Sequence, residues 1–308
     1  MKTYLRSLAL CLGLAATPLF AGTSFDKSVA SEATDTAAQS AFPFEFELEY
    51  SYIGGSDVAR GSRYISGIDE NYGSARFIYT PRVKFGILRL GVAYERFGFG
   101  MPGNVQLPET LQSLTAVVGL DTQFSDSILV RFEAQPGLYG TDHNFSDGTF
   151  IAPFIFGGTY IYNPNLQFVL GVSVNYDRRN SVLPGGGVRW RMTSQLVLNA
   201  VLPTPRLELE VNKNLTIFAG ANLKGSTFRT DDEFGSRAAG DSRLNRAVLS
   251  YTEVRTGVGV DWKLSPDVKL SFEGGYVPWR EFDYHRTPVR YHHEEGAPYG
   301  SIAFRAAF

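Results

Sequence analysis

The stretch Tyr299 to Phe308, YGSIAFRAAF, decides how the rest of the chain is read. Counted back from Phe308, the residues Phe308, Ala306, Phe304 and Ile302 share one face of an extended strand, and Ala307, Arg305, Ala303 and Ser301 share the other. One face is apolar and the other carries a charge. Chain ends fray and are usually polar unless something ties them down, so an aromatic residue ending an alternating strand implies a partner that holds it. The stretch reads as the closing strand of a larger sheet.

Working outward, the same period-2 pattern recurs along most of the chain. From Phe42 it sets Phe44, Phe46, Leu48, Tyr50 and Tyr52 against Glu45, Glu47, Glu49 and Ser51. Further strands are expected over 71–80, 84–97, 111–124, 128–139, 150–162 and 166–177, then over the shorter 187–192, 196–202 and 206–211, and again over 215–224, 248–263 and 268–279. Short turns are expected at 81–83, 125–127, 163–165, 193–195, 212–214 and 265–267. Longer polar loops at 53–70, 98–110, 140–148, 178–186, 230–246 and 280–298 alternate with them. Pro203 and Pro205 cannot sit inside a ladder that needs their N–H groups, so they belong to an exposed turn or an edge.

Composition narrows the class. The 308 residues include 32 Gly, 16 Tyr and 23 Phe, which favours strands and turns over helices. The net charge of −2 and the lack of a basic cluster argue against nucleic acid as a partner. Residues 1–21 read as a secretory leader, with Lys2 and Arg6 before the apolar run Leu8 to Leu14 and small Ala21 at the cleavage point. The sole cysteine, Cys11, lies in that leader, so no disulfide framework is expected. Residues 22–41 are small, polar and aperiodic, a flexible periplasmic lead-in. No window approaches the roughly 20 apolar residues of a transmembrane helix. A mean hydropathy of −0.11 is compatible with membrane strands, which turn only every second residue to lipid.

Strand length separates a membrane barrel from a soluble sandwich. Globular strands peak near 5–6 residues, whereas a tilted crossing takes about 9–11. Most runs here reach the longer figure. The ending at Phe308 resembles the terminal strand of bacterial outer-membrane β-barrels, and that resemblance implies recognition of Ile302, Phe304 and Phe308 by the barrel-assembly machinery. The expected fold is all-β, a transmembrane antiparallel up-and-down β-barrel over 42–308 in the bacterial outer membrane, with short periplasmic turns and longer extracellular loops. Six short turns give fourteen strands, or twelve if the pair around Pro203 does not span. The segments Leu202–Val211, Leu215–Gly220 and Phe228–Arg229 resemble domain-of-unknown-function family 6268, which implies an outer-membrane barrel and supplies no catalytic residues.

The alternation directs Glu45, Glu47, Glu49, Arg76, Arg89, Glu95, Arg131, Glu133, Glu208, Glu210, Glu253, Arg255 and Arg305 into the lumen, along with Asp177, Arg206, Lys224, Asp261, Lys269 and Glu273. Both signs are present, which suits either a ladder of cross-strand pairs or a solute path tuned by charge. Glu47 or Glu49 is expected to pair with Arg76 or Arg305 and to register the closure between first and last strands. The histidines His143, His285, His292 and His293 fall in expected loops. Asp142–His143 and Asp283 with His285 do not amount to a protease constellation, and no lipase triad lies on the strands. His292-His293-Glu294-Glu295, Asp231-Asp232-Glu233 and Arg178-Arg179 read as solvated loop charges, the latter two with lipopolysaccharide sugars as alternative partners. No catalytic site, metal or cofactor is expected. The function expected is a porin-like channel for small polar solutes, with a closed structural or adhesive barrel as the alternative and a rim enzyme as a remote one. Membrane lipid and lipopolysaccharide are the expected surroundings.

Overall fold

The alternation produces strands long enough to leave the bilayer on one side. The computed structural model describes residues 43–61, 63–101, 106–141, 145 and 148–308. The leader, the lead-in, Phe42, Asp142 and His143 lie outside the described residues. Eighteen strands form one sheet: β1 Phe44–Arg60, β2 Arg63–Tyr79, β3 Arg82–Val83, β4 Gly86–Gly100, β5 Thr110–Ser125, β6 Ile128–Ala134, β7 Gly137–Thr141, β8 Phe150–Ile151, β9 Phe154–Asn163, β10 Leu166–Val174, β11 Val182–Arg191, β12 Leu196–Val201, β13 Arg206–Glu210, β14 Leu215–Arg229, β15 Val248–Ser265, β16 Val268–Tyr284, β17 Arg290–Glu295 and β18 Ala297–Ala307. Four of these are continuations: β3 extends β2 past Pro81, β7 extends β6 past Pro136, β8 precedes β9 before Pro153, and β17 precedes β18 before Gly296. Fourteen antiparallel spans remain, and they close into a barrel where β1 pairs with β18 from Glu45↔Ala307 to Ile53↔Tyr299. Closure gives every span a neighbour on each side, although β12 and β13 are shorter than the rest, and so pairs most of the backbone polar groups that face lipid.

The outer face is apolar and exposed, with Tyr50, Val92, Leu114, Phe156, Leu170, Val258 and Phe272 pointing away from the barrel. Such residues are stable there only against hydrocarbon. Among the described residues no helix is long and apolar enough to cross a membrane.

Several boundaries differ from the sequence reading. The residues expected as loop 53–70 instead extend β1 and β2, leaving a connection at Gly61. A bulge at Gly54–Gly55 shifts the register there and breaks the visible alternation. The first short turn is at Lys84–Phe85 rather than 81–83, because Gly86 holds φ at +147° and a Cβ there would come 2.0 Å from the Asp121 carbonyl oxygen. β11 begins at Val182, inside the expected loop 178–186, and carries Pro184 opposite Val172. β16 and β17 occupy much of the expected loop 280–298, which puts His292 and His293 on a strand. The expected loop 230–246 holds a π-helical turn, Gly235–Ala239, and a 3-10 turn, Ser242–Leu244.

The extracellular half is not one open bore. β14 bends at Gly225 (φ +149°) and its end pairs in parallel with β7, Arg229 opposite Gly140. β7 and β14 belong to spans that are far apart around the barrel, so this contact divides the upper lumen in two. The larger compartment, walled by β1, β2, β4, β5, β7 and β14–β17, is packed solid with Ile68, Tyr72, Phe97, Phe99, Phe228, Tyr251, Phe282 and their neighbours. Tyr251 lies 5.0 Å from Phe97 and 4.8 Å from Phe282 between ring centroids, ordinary aromatic packing distances. The smaller compartment lies between β7 and β14 on one side and β9–β11 on the other.

Candidate functional site in the barrel interior

Side chains from spans that are not neighbours can meet only through the interior, so the ion pairs themselves locate the lumen. β1 and β4 are separated by β2, yet Glu45 accepts two hydrogen bonds from Arg89, at 2.9 and 2.7 Å. Arg89 also faces Glu133 at 3.3 Å and Asp121 at 3.6 Å. Asp121 takes a bidentate pair from Arg131 at 2.6 and 2.5 Å, and Glu133 accepts from Arg76 at 2.5 Å and Gln135 at 2.8 Å. This periplasmic cluster joins five spans, β1, β2, β4, β5 and β6. Across the closure seam Glu47 accepts from Arg305 Nε at 2.7 Å, and the two residues are direct register partners. Glu49 reaches over the lumen to Lys224 on β14 at 2.5 Å, and the same ammonium stands 3.8 Å above the Tyr72 ring.

A second cluster sits directly beneath the aromatic core. Glu70 on β2 accepts from Arg280 at 3.0 Å and from Arg255 at 3.2 Å, and Arg255 also donates to Glu253 at 2.7 Å and to the Ser51 hydroxyl at 2.6 Å. Tyr251 donates to Glu253 at 2.8 Å. These groups are sealed from solvent, with Glu70, Glu253 and Arg280 at 0% exposure. Glu95 accepts from the Tyr72 hydroxyl at 3.0 Å. Nearer the periplasm, Glu208 accepts from Arg206 at 2.8 Å, Glu210 takes a bidentate pair from Arg191 at 2.8 and 3.0 Å, Asp261 accepts from Lys269 at 3.2 Å, and Tyr299 donates to Glu273.

Several spaces bounded by the described residues lie in what remains, and three of them adjoin one another. The lowest, lined by Asp261, Lys269, Glu273, Arg206, Thr204 and Arg305, shares Glu49, Thr204, Asn222 and Arg305 with a central one. The central space amounts to about 900 Å³ between atoms, open solvent at its mouth included. It shares Gln135, Tyr139 and Gly225 with a third, lined by Glu133, Ile155, Ser173, Asn175, Arg178 and Thr227, which is the smaller upper compartment. The three spaces thus follow one another from the periplasmic side, beside the aromatic core, to the loop after β10.

That loop was expected to carry solvated charge, which holds for Arg179, 63% exposed, but not for Arg178. Arg178 is buried at 8% exposure, donating to the Asn180 carbonyl at 2.9 Å and the Ser173 carbonyl at 3.2 Å, and burial pushes its guanidinium down to about 10. Its neighbours strap the loop across the barrel: Asp177 accepts from Arg229 at 2.6 Å, and Arg179 reaches Asp283 at 3.5 Å. The acidic run at 231–233 is paired within its own loop, Asp231 with Arg237 at 2.8 Å and Asp232 with Arg246 at 2.5 Å. His292 Nδ1 lies 3.3 Å from Glu281, and among the described residues no three His, Cys, Asp or Glu converge to hold a metal. Ile302 and Phe308 are exposed on the outer face of the seam, with Phe304 half-buried between them.

The inward aromatic residues were missed, although their signal was present. Phe97 and Phe99 keep the parity of Glu95, and Tyr251 keeps that of Glu253, so the same alternation that turned the charges inward turned these rings inward too.

The family model described as Domain of unknown function (DUF6268) matches residues 127–305, more than half of the 308. The chain belongs to this family. The match spans β6 to β18 and so includes the low hairpin around Pro203 and the bend of β14. Among solved structures, the COG4313 outer membrane channel from Pseudomonas putida F1 superimposes over 92% of this chain and 100% of its own, with a TM-score of 0.51 and 8% identity. The NanC porin covers 85% of this chain and 99% of its own, with a TM-score of 0.39 and 10% identity. No sequence among curated proteins matches the chain. The DUF6268 chain thus has a multi-pass β-barrel fold like that of an outer membrane channel.

Proposed function

We propose that this DUF6268 barrel passes small polar solutes passively, and that they travel through the smaller upper compartment rather than along the barrel axis. The succession of three adjoining spaces from Asp261 to Arg178, each lined in part by charged side chains, supports this reading. The lumen charges Glu45, Glu47, Glu49, Arg76, Arg89, Glu95, Arg131, Glu133, Glu208, Glu210, Glu253, Arg255 and Arg305 divide into two roles. The sealed set around Arg255 supports the core, and the set facing the spaces, Glu49 and Glu133 among them, sets which solutes pass. The barrel does no chemistry on them. Residues 1–21 act as the export leader, 22–41 as a periplasmic lead-in, and Ile302, Phe304 and Phe308 as the mark read by the barrel-assembly machinery; the outer rim meets lipopolysaccharide.

A closed structural barrel is the second reading, and the solid packing of the larger compartment favours it. Swelling of proteoliposomes in isotonic solutes of rising size separates the two. The channel reading expects swelling with the smallest polar solutes and a sharp size limit. No swelling from protein with normal heat-modifiable gel mobility overturns it in favour of the closed barrel.

A further inference from the structure

The wall of this barrel is not of even height. β12 has six residues and β13 five, between β11 with ten and β14 with fifteen. A tilted strand needs about 9–11 residues to cross the hydrocarbon, so this hairpin ends partway through the bilayer. Register fixes the level of its turn, Leu202 to Pro205. Val201 pairs with Gly187 and Leu170 with Gly186, so the exposed Leu170 stands level with the turn, and above it the outer surface is still apolar, with Val182 on β11 and Tyr176 in the loop after β10.

Above the turn the free edges of β11 and β14 face each other. Gly186 O accepts from Leu202 N–H, so Pro184, two residues on, addresses the same side and has no N–H to leave unpaired. On the other side Ala221 and Leu223 donate to Pro205 and Pro203 carbonyls, after which β14 bends inward at Gly225. At these edges pack Leu183 of β11, Leu202 of the turn and Leu223 of β14, with Ile155 of β9 on the inner side of the cluster, and beside them is the space lined by Thr204 and Asn222.

We infer that the gap above the β12–β13 hairpin is a lateral portal to the outer leaflet, closed by the Leu183–Leu202–Leu223 cluster, and that it admits amphipathic molecules with a short acyl tail and a small polar head. The tail matches the aliphatic cluster and the head matches the polar space beside it. This second mouth goes beyond the passage of polar solutes, and it stands whether or not the barrel conducts ions.

The sole cysteine of the sequence is Cys11, in the expected leader, so single-cysteine labels are simple to place. Nitroxide labels at Leu202→Cys and Thr204→Cys, in leaderless protein refolded into phospholipid vesicles, are read by electron paramagnetic resonance. The portal predicts that the 202 label is more accessible to oxygen, the 204 label to a water-soluble nickel chelate, and that decanoate immobilises the 202 label saturably. Heat-modifiable mobility verifies folding of both variants. Nickel accessibility at both labels puts the turn in water above the bilayer, and a 202 label indifferent to decanoate means that no amphiphile enters; either result overturns the portal. Ion conductance of the same preparations reports separately on the polar route.

Discussion

Arg229 and Gly140 pair backbone to backbone across the upper lumen, although one ends β14 and the other lies in β7. This contact turns the extracellular half of a fourteen-span barrel into a packed compartment and a polar one. Everything proposed about transport depends on that division.

The bend that makes the contact possible is at Gly225. Its φ of +149° is unfavourable for other residues, and a Cβ there would come 2.2 Å from the Tyr251 carbonyl oxygen. Gly225→Val is expected to cost about 1–3 kcal/mol, the usual range for such strain. A lowered temperature of heat-modifiable mobility shift checks this, and an unchanged midpoint contradicts it.

Glu70 holds two arginines, Arg255 and Arg280, in a site buried from solvent. Removing one member of a buried ion network strands the others, at about 3–5 kcal/mol. Glu70→Gln should therefore unfold at clearly lower urea concentration in detergent micelles, whereas Arg246→Gln, at an exposed pair, should shift the midpoint little.

Arg178 stands at the extracellular end of the polar route. Arg178→Glu replaces a positive charge by a negative one in the lining of the upper space, so reversal potentials in a potassium chloride gradient should move toward cation selectivity. An unchanged reversal potential would place the route elsewhere.

The 3-10 turn after Asp241 gives a pH signature outside the membrane. The Arg243 side chain, donating to Asp241 at 2.8 Å, holds that carboxyl down at about 2 against an ordinary 3.8. A depressed folded-state value means the stabilisation is fully present above the ordinary carboxylate range and is lost as pH falls toward 2. Carboxyl NMR of Asp241 should titrate near 2 and the Arg243 amide should follow it; a midpoint at the ordinary value contradicts the pairing.

Much of the barrel was legible because lipid imposes strict alternation. Phe46, Leu48 and Tyr50 against Glu45, Glu47 and Glu49 left one choice of face, and Arg305 opposite Glu47 confirms the geometry of the seam. Above the bilayer that constraint lapses, so the β1–β2 extension beyond the Gly54–Gly55 bulge looked like loop. The inward rings of Phe97 and Tyr251 carried the right parity but contradicted the premise of a wet lumen. The Arg229–Gly140 contact and the burial of Arg178 left no periodic trace, since each depends on how distant spans meet.

Single-channel conductance in planar bilayers tests the central claim most directly, comparing the wild type with Ser173→Trp in the polar compartment and Phe282→Ala in the packed one. Discrete steps in the wild type, strongly reduced in Ser173→Trp and unchanged in Phe282→Ala, are predicted. A silent wild type, or steps that grow in Phe282→Ala and ignore Ser173→Trp, would contradict a route beside the core.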